Sequence, residues 1–465
     1  MKQATFVIIG GGIAGVSCAE GISFLAPEES IILISSSPTI KKVSNLKHLT
    51  KLLSEFTVEE KSSESLVQGC SSLTIIHSAV NSIDYKNKLV FTSNETVKYE
   101  KLCICSGASP KLIDSNPLVI GIRDTDSVQE FQKRLVSSKK MLVIGNGGIA
   151  TELVHEVEGM EIIWVIKNNH ISATFIDPGA AEFFQSSLIK EDKNTDLPTK
   201  RLKFTVEEGS PKGGAALGPD WHSQVDLRGM LQSKSSVTIE YSSEVEKILN
   251  KSEGMKLTNE DWPIFVKLTN GKVYGCDFIV SATGVVPNTS FLTDTGIHLS
   301  PDGGITVDWK METSLADVYA AGDVCTTSWE AASQWFQMRL WTQAHQMGLY
   351  AAKAMVTNLK GEELLQDFCF ELFTHVTKFF GFKVILLGLF NGQRLENNYE
   401  ILLRVTKGLE YIKLILKDGR MQGAVLIGET DLEEMCENLI LNQLDLSPFG
   451  EDLLDPNIDI EDYFD

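Results

Sequence analysis

The stretch TFVIIGGGIAG, residues 5–15, decides the expected fold. Its first half is a short apolar run, which is typical of a buried parallel strand. Gly10, Gly12 and Gly15 then fit the pattern G-x-G-x-x-G, and an amphipathic segment leads to a second apolar strand, IILIS, at residues 31–35. In such a βαβ unit the glycines allow a tight turn, close approach of the backbone to a pyrophosphate, and close packing of helix on strand. The unit therefore predicts a dinucleotide site.

The second strand ends in serines, where this kind of fold usually carries an acidic residue that binds a ribose. Ser35 follows Gly15 by twenty residues, which is the position of that acid, and Ser36 comes next. A serine hydroxyl makes a weaker, neutral hydrogen bond than a carboxylate does. We therefore expect both serines to contact the cofactor and to bind its adenosine end more loosely than an acid would.

A second unit of the same kind follows in MLVIGNGGIA, residues 141–150. Gly145 and Gly147 match the pattern, Ala150 replaces the third glycine, and the next strand, EIIWVIK, ends at Lys167. Two such units predict two dinucleotides held face to face, as hydride transfer between them requires. No acid stands at the end of the second strand. Lys167 would either contact a 2′-phosphate or be an exposed strand-end residue, so the choice between NADH and NADPH stays open.

Composition narrows the possible partners. The 465 residues suggest several domains, and 43% hydrophobic residues suffice for packed cores. A net charge of −20 argues against nonspecific binding of nucleic acid and against docking on anionic membranes. No apolar run is long enough to span a bilayer, and the N-terminal run leads into the glycine motif rather than a cleavage site. The acidic tail at residues 451–465 is either a solvated segment or a docking strip for a protein partner.

The eight cysteines form no CxxC pair and no zinc-type spacing, so we expect no metal site and predict reduced thiols, as in the cytosol or nucleus. Cys103 and Cys105 are expected to point to opposite faces of their strand and not to pair. Cys325 is expected to be a small buried residue.

Three further stretches resemble the flavoprotein disulphide reductases of the pyridine nucleotide-disulphide oxidoreductase family. YEKLCICSGASP, residues 99–110, is similar to the turn that closes the flavin domain, with Ser106 in place of a threonine. CDFIVSATGVVPN, residues 276–288, is similar to the second such turn. TSLADVYAAGDV, residues 313–324, resembles the final flavin motif, in which Asp323 meets the ribityl chain. The order of these stretches along the chain is also that of the family.

The resemblance implies an α/β fold with two Rossmann-like dinucleotide-binding domains and a C-terminal α+β domain. The FAD-binding domain would comprise residues 1–125 and 285–360, interrupted by an NAD(P)H-binding domain at 126–284 that carries an inserted loop at about 190–235. The C-terminal domain would span residues 363–450. Within it we expect a hairpin with its turn at Asp418-Gly419, followed by a helix that begins in a capping box of Thr430 and Glu433.

The implied cofactors are FAD and, as electron donor, NAD(P)H. The residues expected to bind these cofactors are the glycines, their neighbours at the helix starts, the two serines, residues of the resembling stretches, and three residues outside these groups, Val80, Arg123 and Lys167. They are Gly10, Gly12, Ile13, Ala14, Gly15, Ser35, Ser36, Val80, Ser106, Gly107, Arg123, Gly145, Gly147, Gly148, Ile149, Lys167, Thr283, Gly284, Gly322, Asp323 and Val324.

Disulphide reductases of this group carry a cysteine pair soon after the second strand, and this chain has PTIKKVSNLKHLTK there, without a cysteine. Compared with relatives that also lack the pair, Lys47 falls where a lysine stands beside flavin N5, and Glu152 falls at its partner's position. We expect the two to form a catalytic ion pair that stabilises charge on the flavin. The alternative for Lys47 is a surface residue on a polar helix face.

Two functions remain open from the sequence. The first is an FAD-dependent oxidoreductase that takes hydride from NAD(P)H and passes electrons to an external acceptor, which could be oxygen, a quinone-like molecule or a protein. The second is a redox-sensing module that binds NAD(P) and docks a protein partner through the acidic tail or the C-terminal domain. The resemblance implies residence in nucleus and cytoplasm.

Overall fold

A computed structural model describes residues 1–70, 72–188, 227, 229–230, 235–366, 368–395 and 399–455. Almost all of the predicted insertion at 190–235 and most of the acidic tail lie outside these residues. Within them, no helix combines the length and the apolar character needed to cross a membrane.

The first part of the chain forms a sheet that begins with the predicted βαβ unit. Its elements are β1 (Lys2–Ile9), α1 (Ile13–Leu25), β2 (Ile31–Ser35), β3 (Thr39–His48), β4 (Ser54–Ser62), α2 (Ser63–Gly69), β5 (Leu73–His77), β6 (Val80–Asp84), β7 (Leu89–Thr92), β8 (Thr96–Ile104), β9 (Ala108–Pro110) and β10 (Val119–Ile120). The sheet order is β5-β2-β1-β8-β7-β6, with β1, β2, β5 and β8 parallel. The carboxyl ends of parallel strands meet at one edge, so the glycine loop after β1 lies at the edge where ligands bind.

The second glycine unit builds another parallel sheet. Its elements are α3 (Thr125–Leu135), β11 (Lys140–Ile144), α4 (Gly148–Glu156), β12 (Glu161–Val165), α5 (Pro178–Leu188), β13 (Ser236–Glu240), β14 (Val245–Asn250), α6 (Lys251–Thr258), β15 (Ile264–Leu268), β16 (Val273–Cys276) and β17 (Phe278–Ser281). The order is β10-β17-β11-β12-β13, and an antiparallel group β14-β15-β16 packs beside it.

The chain then returns to the first sheet. The next elements are β18 (Val285–Pro287), β19 (Ile305–Val307), β20 (Val318–Ala320), β21 (Cys325–Thr327) and α7 (Trp341–Lys360). Strand β20 pairs with β8, and α7 packs closely on α1, where a Cβ on Gly21 would stand 2.8 Å from that of Ala352. Because α7 covers it, α1 is buried on several sides, and the expected amphipathic pattern is wrong for this helix.

The last part of the described chain is an antiparallel sheet with one helix against it. Its elements are β22 (Thr374–Phe379), β23 (Phe382–Gly388), β24 (Glu400–Thr406), β25 (Glu410–Lys417), β26 (Arg420–Ile427) and α8 (Glu433–Asn442), in the order β22-β23-β26-β25-β24. The hairpin is confirmed: Asp418 and Gly419 have φ of 51° and 69°, as its tight turn requires. The capping box is wrong, because Asp431 adopts φ of 51° and α8 begins only at Glu433, with Thr430 Oγ1 buried and unpaired.

The fold class is therefore confirmed as α/β with Rossmann-type units and an α+β part. A third difference from expectation, besides those in α1 and α8, concerns the segment around Lys47. The segment after the serines, which carries Lys47, is not helical but forms the antiparallel hairpin β3–β4. One end of the hairpin joins the glycine loop, where the backbone N–H of Lys41 donates to Gly11 O at 3.0 Å. At the other end, the buried carboxylate of Glu437 on α8 accepts hydrogen bonds from the Thr50 hydroxyl and from the Leu52 N–H.

Candidate functional site

The first glycine loop has the geometry that its motif predicts. Gly10 has φ of +120°, and a Cβ there would collide with the carbonyl of Cys105 on the neighbouring strand end. A Cβ on Gly15 would collide with Gly10 O. At Gly12, by contrast, a Cβ would meet nothing within 4 Å, because this residue faces a cavity at the start of α1. Gly10 and Gly15 thus shape the loop, and Gly12 leaves room for a ligand.

The second loop repeats this arrangement at the start of α4. Gly145 has φ of +131°, and a Cβ there would collide with Ala282 O. The loop is fixed by Trp164, whose Nε1 donates to Gly145 O at 2.7 Å, and by Asn146. The amide of Asn146 donates to His170 O at 2.9 Å and accepts from the Ser172 N–H at 2.5 Å. These bonds hold the loop open towards the same cavity.

Both loops open onto one cavity of about 1690 Å³. A single small-molecule pocket usually measures about 300–1,000 Å³, so this cavity has room for two dinucleotides. Fourteen of the residues predicted from the sequence line it. They are Gly12, Ile13, Ala14, Gly107, Arg123, Gly145, Gly147, Gly148, Ile149, Glu152, Lys167, Thr283, Gly284 and Asp323.

The other predicted residues do not line the cavity. Some support it: Gly322, with φ of +80°, lies where a Cβ would stand 2.8 Å from that of Ala14, and Ser106 Oγ donates to Asn288 O at 2.8 Å, which joins the two resembling turns. Val80 is half-buried on β6 and packs against the core of the first sheet, and Val324 is buried in that core. The prediction that these residues face the cofactor is not supported by their placement.

The serines that replace the ribose-binding acid lie next to the first loop. Ser35 is buried at the end of β2, and its Oγ accepts a hydrogen bond from the Ser37 N–H at 3.2 Å. A Cβ on Gly11 would stand 2.6 Å from Ser35 Oγ, so the loop packs directly over this hydroxyl. Ser36 is exposed. Ser35 therefore occupies the predicted position but supports the loop rather than lining the cavity.

Asp323 and Arg123 form an ion pair on the cavity wall. The Arg123 Nε also donates to Ala108 O at 3.1 Å, and Arg339 Nε donates to Asp323 O at 2.8 Å. The pair therefore ties three separate segments of the chain together at the place where the final flavin motif ends. Asp323 is 8% exposed and lines the cavity.

Lys47 and Glu152 are placed differently from each other. Glu152 is buried on α4 and lines the cavity, as expected. Lys47 is exposed on β3, opposite Glu55 of β4, and does not line the cavity. The physical reason is the hairpin: it directs this segment along the surface towards α8 instead of forming a helix beside the cavity. The expected catalytic role of Lys47 has no support in this geometry.

Cys103 and Cys105 are closer than predicted, with Sγ atoms 3.5 Å apart. The expectation of opposite faces was wrong, since residues two apart on a strand share a face. All eight cysteines are free thiols, and Cys325 is buried as expected. Cys105 lines the cavity beside Gly10, but its hydrogen bond with Cys103 and its burial raise the pKa of its thiol well above the usual range. The thiol is therefore protonated and a poor nucleophile at neutral pH.

The chain matches the family model of the pyridine nucleotide-disulphide oxidoreductases over residues 4–217 and 224–348. It is 53% identical over 481 residues to the pyridine nucleotide-disulfide oxidoreductase domain-containing protein 1 of Danio rerio, an alignment that covers 100% of this chain and 98% of that protein. The chain belongs to the pyridine nucleotide-disulphide oxidoreductase family. It is thus an oxidoreductase that uses a pyridine nucleotide, and its cofactors are FAD and NAD(P)H.

Solved structures agree on the fold. The water-forming NADH oxidase of Lactobacillus brevis bound to NADH is 16% identical, with a TM-score of 0.68 over 99% of this chain and 94% of that one. The reductase in a covalent putidaredoxin reductase–putidaredoxin complex is 15% identical, with a TM-score of 0.67 over 100% of this chain and 98% of that one. At these identities the likeness shows the shared fold.

The residues present fit both members of the family's cofactor pair. Gly12 and the start of α1 leave an open cradle for one diphosphate, and Gly147 with the start of α4 leaves a second. Asp323 lies on the wall between the first cradle and α7. Lys167 is exposed at the cavity rim beyond β12, where either nucleotide could be bound.

Sequence reasoning missed the part of the wall that comes from α7 and the last sheet. Trp341, at the first position of α7, and His375, on β22, line the cavity together with Phe175. The sequence analysis assigned no role to these three residues. No local pattern marks them, because three distant segments meet there only after folding.

Proposed function

We propose that this protein accepts hydride from NAD(P)H onto bound FAD and passes the electrons to an acceptor outside its own chain, without an internal redox disulphide. The observation that carries the proposal is the single cavity shared by two glycine loops. Among the described residues, Cys105 is the one cysteine on its wall, and it is a protonated thiol beside the Gly10 turn rather than an exposed partner of a dithiol.

Each part of the wall has a role in this proposal. The starts of α1 and α4 bind the two diphosphates through backbone N–H groups, which point at the ligand from an open helix end. Arg123 and Asp323 fix the flavin segment of the wall. Glu152, buried on α4 and on the cavity wall, orients the nicotinamide end. Bound FAD supplies the two-electron acceptor for the nicotinamide hydride.

The acceptor would be oxygen, a quinone-like molecule or a protein. The solved covalent complex of a reductase with putidaredoxin is one case in which a protein of this fold binds a protein partner. A protein acceptor with a basic docking surface would suit the net charge of −20, since charge complementarity guides such encounters. We also propose that the protein resides in nucleus and cytoplasm.

The test is an anaerobic spectrum of the purified, FAD-loaded protein before and after addition of NADH or NADPH. We expect the flavin absorbance to bleach, and to return on addition of one of the three acceptor classes. A protein that takes up FAD but is bleached by neither nucleotide would rule out the hydride route. Bleaching followed by very slow return with every acceptor would favour the redox-sensing module over the enzyme.

A further inference from the structure

His375 carries a buried polar atom for which the described structure offers no partner. Its side chain is 1% exposed, yet Nε2 makes no hydrogen bond, while the residue itself lines the cofactor cavity. Buried polar groups in folded proteins are nearly always paired, and an orphan of this kind needs a reason. Because the free nitrogen belongs to a cavity-lining residue, a bound molecule is the natural partner.

The surroundings of His375 place it between the two cofactor loops. Its ring lies 5.0 Å from that of Trp341. Trp341 is the first residue of α7, the helix that packs on α1 after the first glycine loop. Its ring is also stacked on that of Phe175, with 6.1 Å between the ring centroids and 25° between the ring planes. Phe175 in turn lies next to the second glycine loop, since a Cβ on Gly148 would stand 3.5 Å from its ring. His375 thus lies where the flavin ring and the nicotinamide ring of the two cofactors would meet.

Burial determines the charge of the His375 ring, and the contact with Thr342 bears on its tautomer. Burial lowers the pKa of its imidazole to about 3, so the ring is neutral at physiological pH and does not serve as a proton donor. The second ring nitrogen, Nδ1, lies 3.1 Å from the Thr342 hydroxyl. With that hydroxyl as donor to Nδ1, the ring hydrogen sits on Nε2, which is then a neutral hydrogen-bond donor without a partner in the described structure.

We propose that His375 Nε2–H donates a hydrogen bond to the exocyclic carbonyl oxygen of a planar heteroaromatic ring bound in the cavity that Trp341 and Phe175 also line, and so fixes the orientation of that ring. Thr342 is the positioning residue that holds the imidazole in the required tautomer. The inference rests on the proposed function. Two sources offer this carbonyl, the flavin ring and the nicotinamide carboxamide, and the experiment separates them.

The experiment compares His375→Phe, which keeps an aromatic ring without a donor, with His375→Gln, which can restore an N–H. The matched control is His345→Phe. His345 is a half-buried histidine that also has a lowered pKa, and its Nδ1 lies 2.7 Å from Ser17 Oγ, but it does not line the cavity. Dissociation constants are measured with oxidised cofactors: first FAD on the cofactor-free chain, then NAD+ and NADP+ on the FAD-loaded chain.

We expect His375→Phe to weaken one of these constants by roughly tenfold, His375→Gln to recover most of the loss, and His345→Phe to change neither. Weaker FAD binding identifies the flavin carbonyl, and weaker nucleotide binding alone identifies the carboxamide. If neither constant changes beyond the control, the inference is wrong. Should the phenylalanine variant not fold, His375→Leu takes its place.

These titrations involve no turnover, so they remain informative if the proposed function fails. A wild-type protein that binds both cofactors but is not bleached by NADH or NADPH would defeat the proposed function alone. A wild-type protein that is bleached, together with unchanged binding in His375→Phe, would defeat this inference alone.

Discussion

Gly10 and Gly12 lie two residues apart in one loop, yet a methyl group has opposite consequences at the two positions. At Gly10 the backbone is left-handed and a Cβ would collide with the Cys105 carbonyl. At Gly12 the backbone is extended, with φ of −78°, and a Cβ would project into the open cavity. The motif thus separates into a residue needed for folding and a residue needed for binding.

Substitution by alanine should reveal this separation. We expect Gly10→Ala to cost on the order of 3 kcal/mol of folding stability, through strain and collision together. Gly12→Ala should leave the melting temperature of the FAD-free protein nearly unchanged and weaken FAD binding by about tenfold. Thermal melts of the cofactor-free proteins and FAD titrations distinguish the two effects. Equal losses of stability in both variants would contradict this account.

The sequence predicted an ion pair of Glu152 and Lys47. In the structure Glu152 is buried on the cavity wall, whereas Lys47 is exposed on β3. We expect Glu152→Gln to slow the anaerobic reduction by NAD(P)H roughly tenfold, which corresponds to about 1.4 kcal/mol in the barrier, because it replaces a buried carboxyl group on the cavity wall by an amide. Lys47→Met should leave this rate within about twofold, because the exposed side chain does not reach the cavity. Stopped-flow bleaching of the flavin is the measurement. A strong slowing in Lys47→Met would restore the sequence-based assignment.

At the scale of elements, the last sheet is joined to the second nucleotide unit by a buried ion pair. Lys413 on β25 contacts Asp177, which precedes α5 and also accepts from Tyr411 Oη at 3.0 Å. Lys413 Nζ donates to Asn391 Oδ1 at 2.7 Å as well. Burial alone would raise the pKa of Asp177, but the attraction of Lys413, together with hydrogen bonds, outweighs burial and lowers it. The pair positions the sheet that carries His375.

Removing the Asp177 carboxylate should weaken the attachment of the last sheet to the second nucleotide unit. We expect Asp177→Asn to lower the melting temperature by several degrees, because it leaves Lys413 as an unpaired buried charge. A lowered aspartate pKa contributes stability above the ordinary value of about 3.9 and loses it as the pH falls through the folded value. The gap between wild type and variant should therefore be largest at neutral pH and shrink below about pH 4.

The control for this prediction is Glu246→Gln, which breaks an exposed ion pair with Lys267. Exposed pairs contribute little, so its melting temperature should match that of the wild type at every pH. An Asp177→Asn variant as stable as this control at neutral pH would show that the buried pair does not hold the sheet.

Some elements could be predicted from the sequence and others could not. The glycine turns and the Asp418-Gly419 hairpin were predictable, because each depends on backbone conformations that few residues adopt. The hairpin β3–β4 was not, because its apolar and charged residues fit no clear period and its ends are fixed by distant partners, Gly11 and Glu437. The start of α8 was also missed, since a left-handed Asp431 interrupts an otherwise good capping sequence.

For the whole molecule, the sequence predicted the class of fold and most residues of the cavity wall near the two glycine loops. It did not predict the wall where Trp341, Phe175 and His375 meet, since these belong to three segments that folding brings together. Local patterns therefore indicate which cofactors bind. The residues that meet their reactive ends can be found only in three dimensions.

The most direct test of the central claim is the number of NAD(P)H equivalents that fully reduce the FAD-loaded protein without oxygen. A chain with no internal redox disulphide should need one equivalent per flavin, because the buried thiols stay reduced and take up no electrons. A titration that consumes two equivalents per flavin, with new thiols appearing on reduction, would contradict the account and place a working disulphide within this chain.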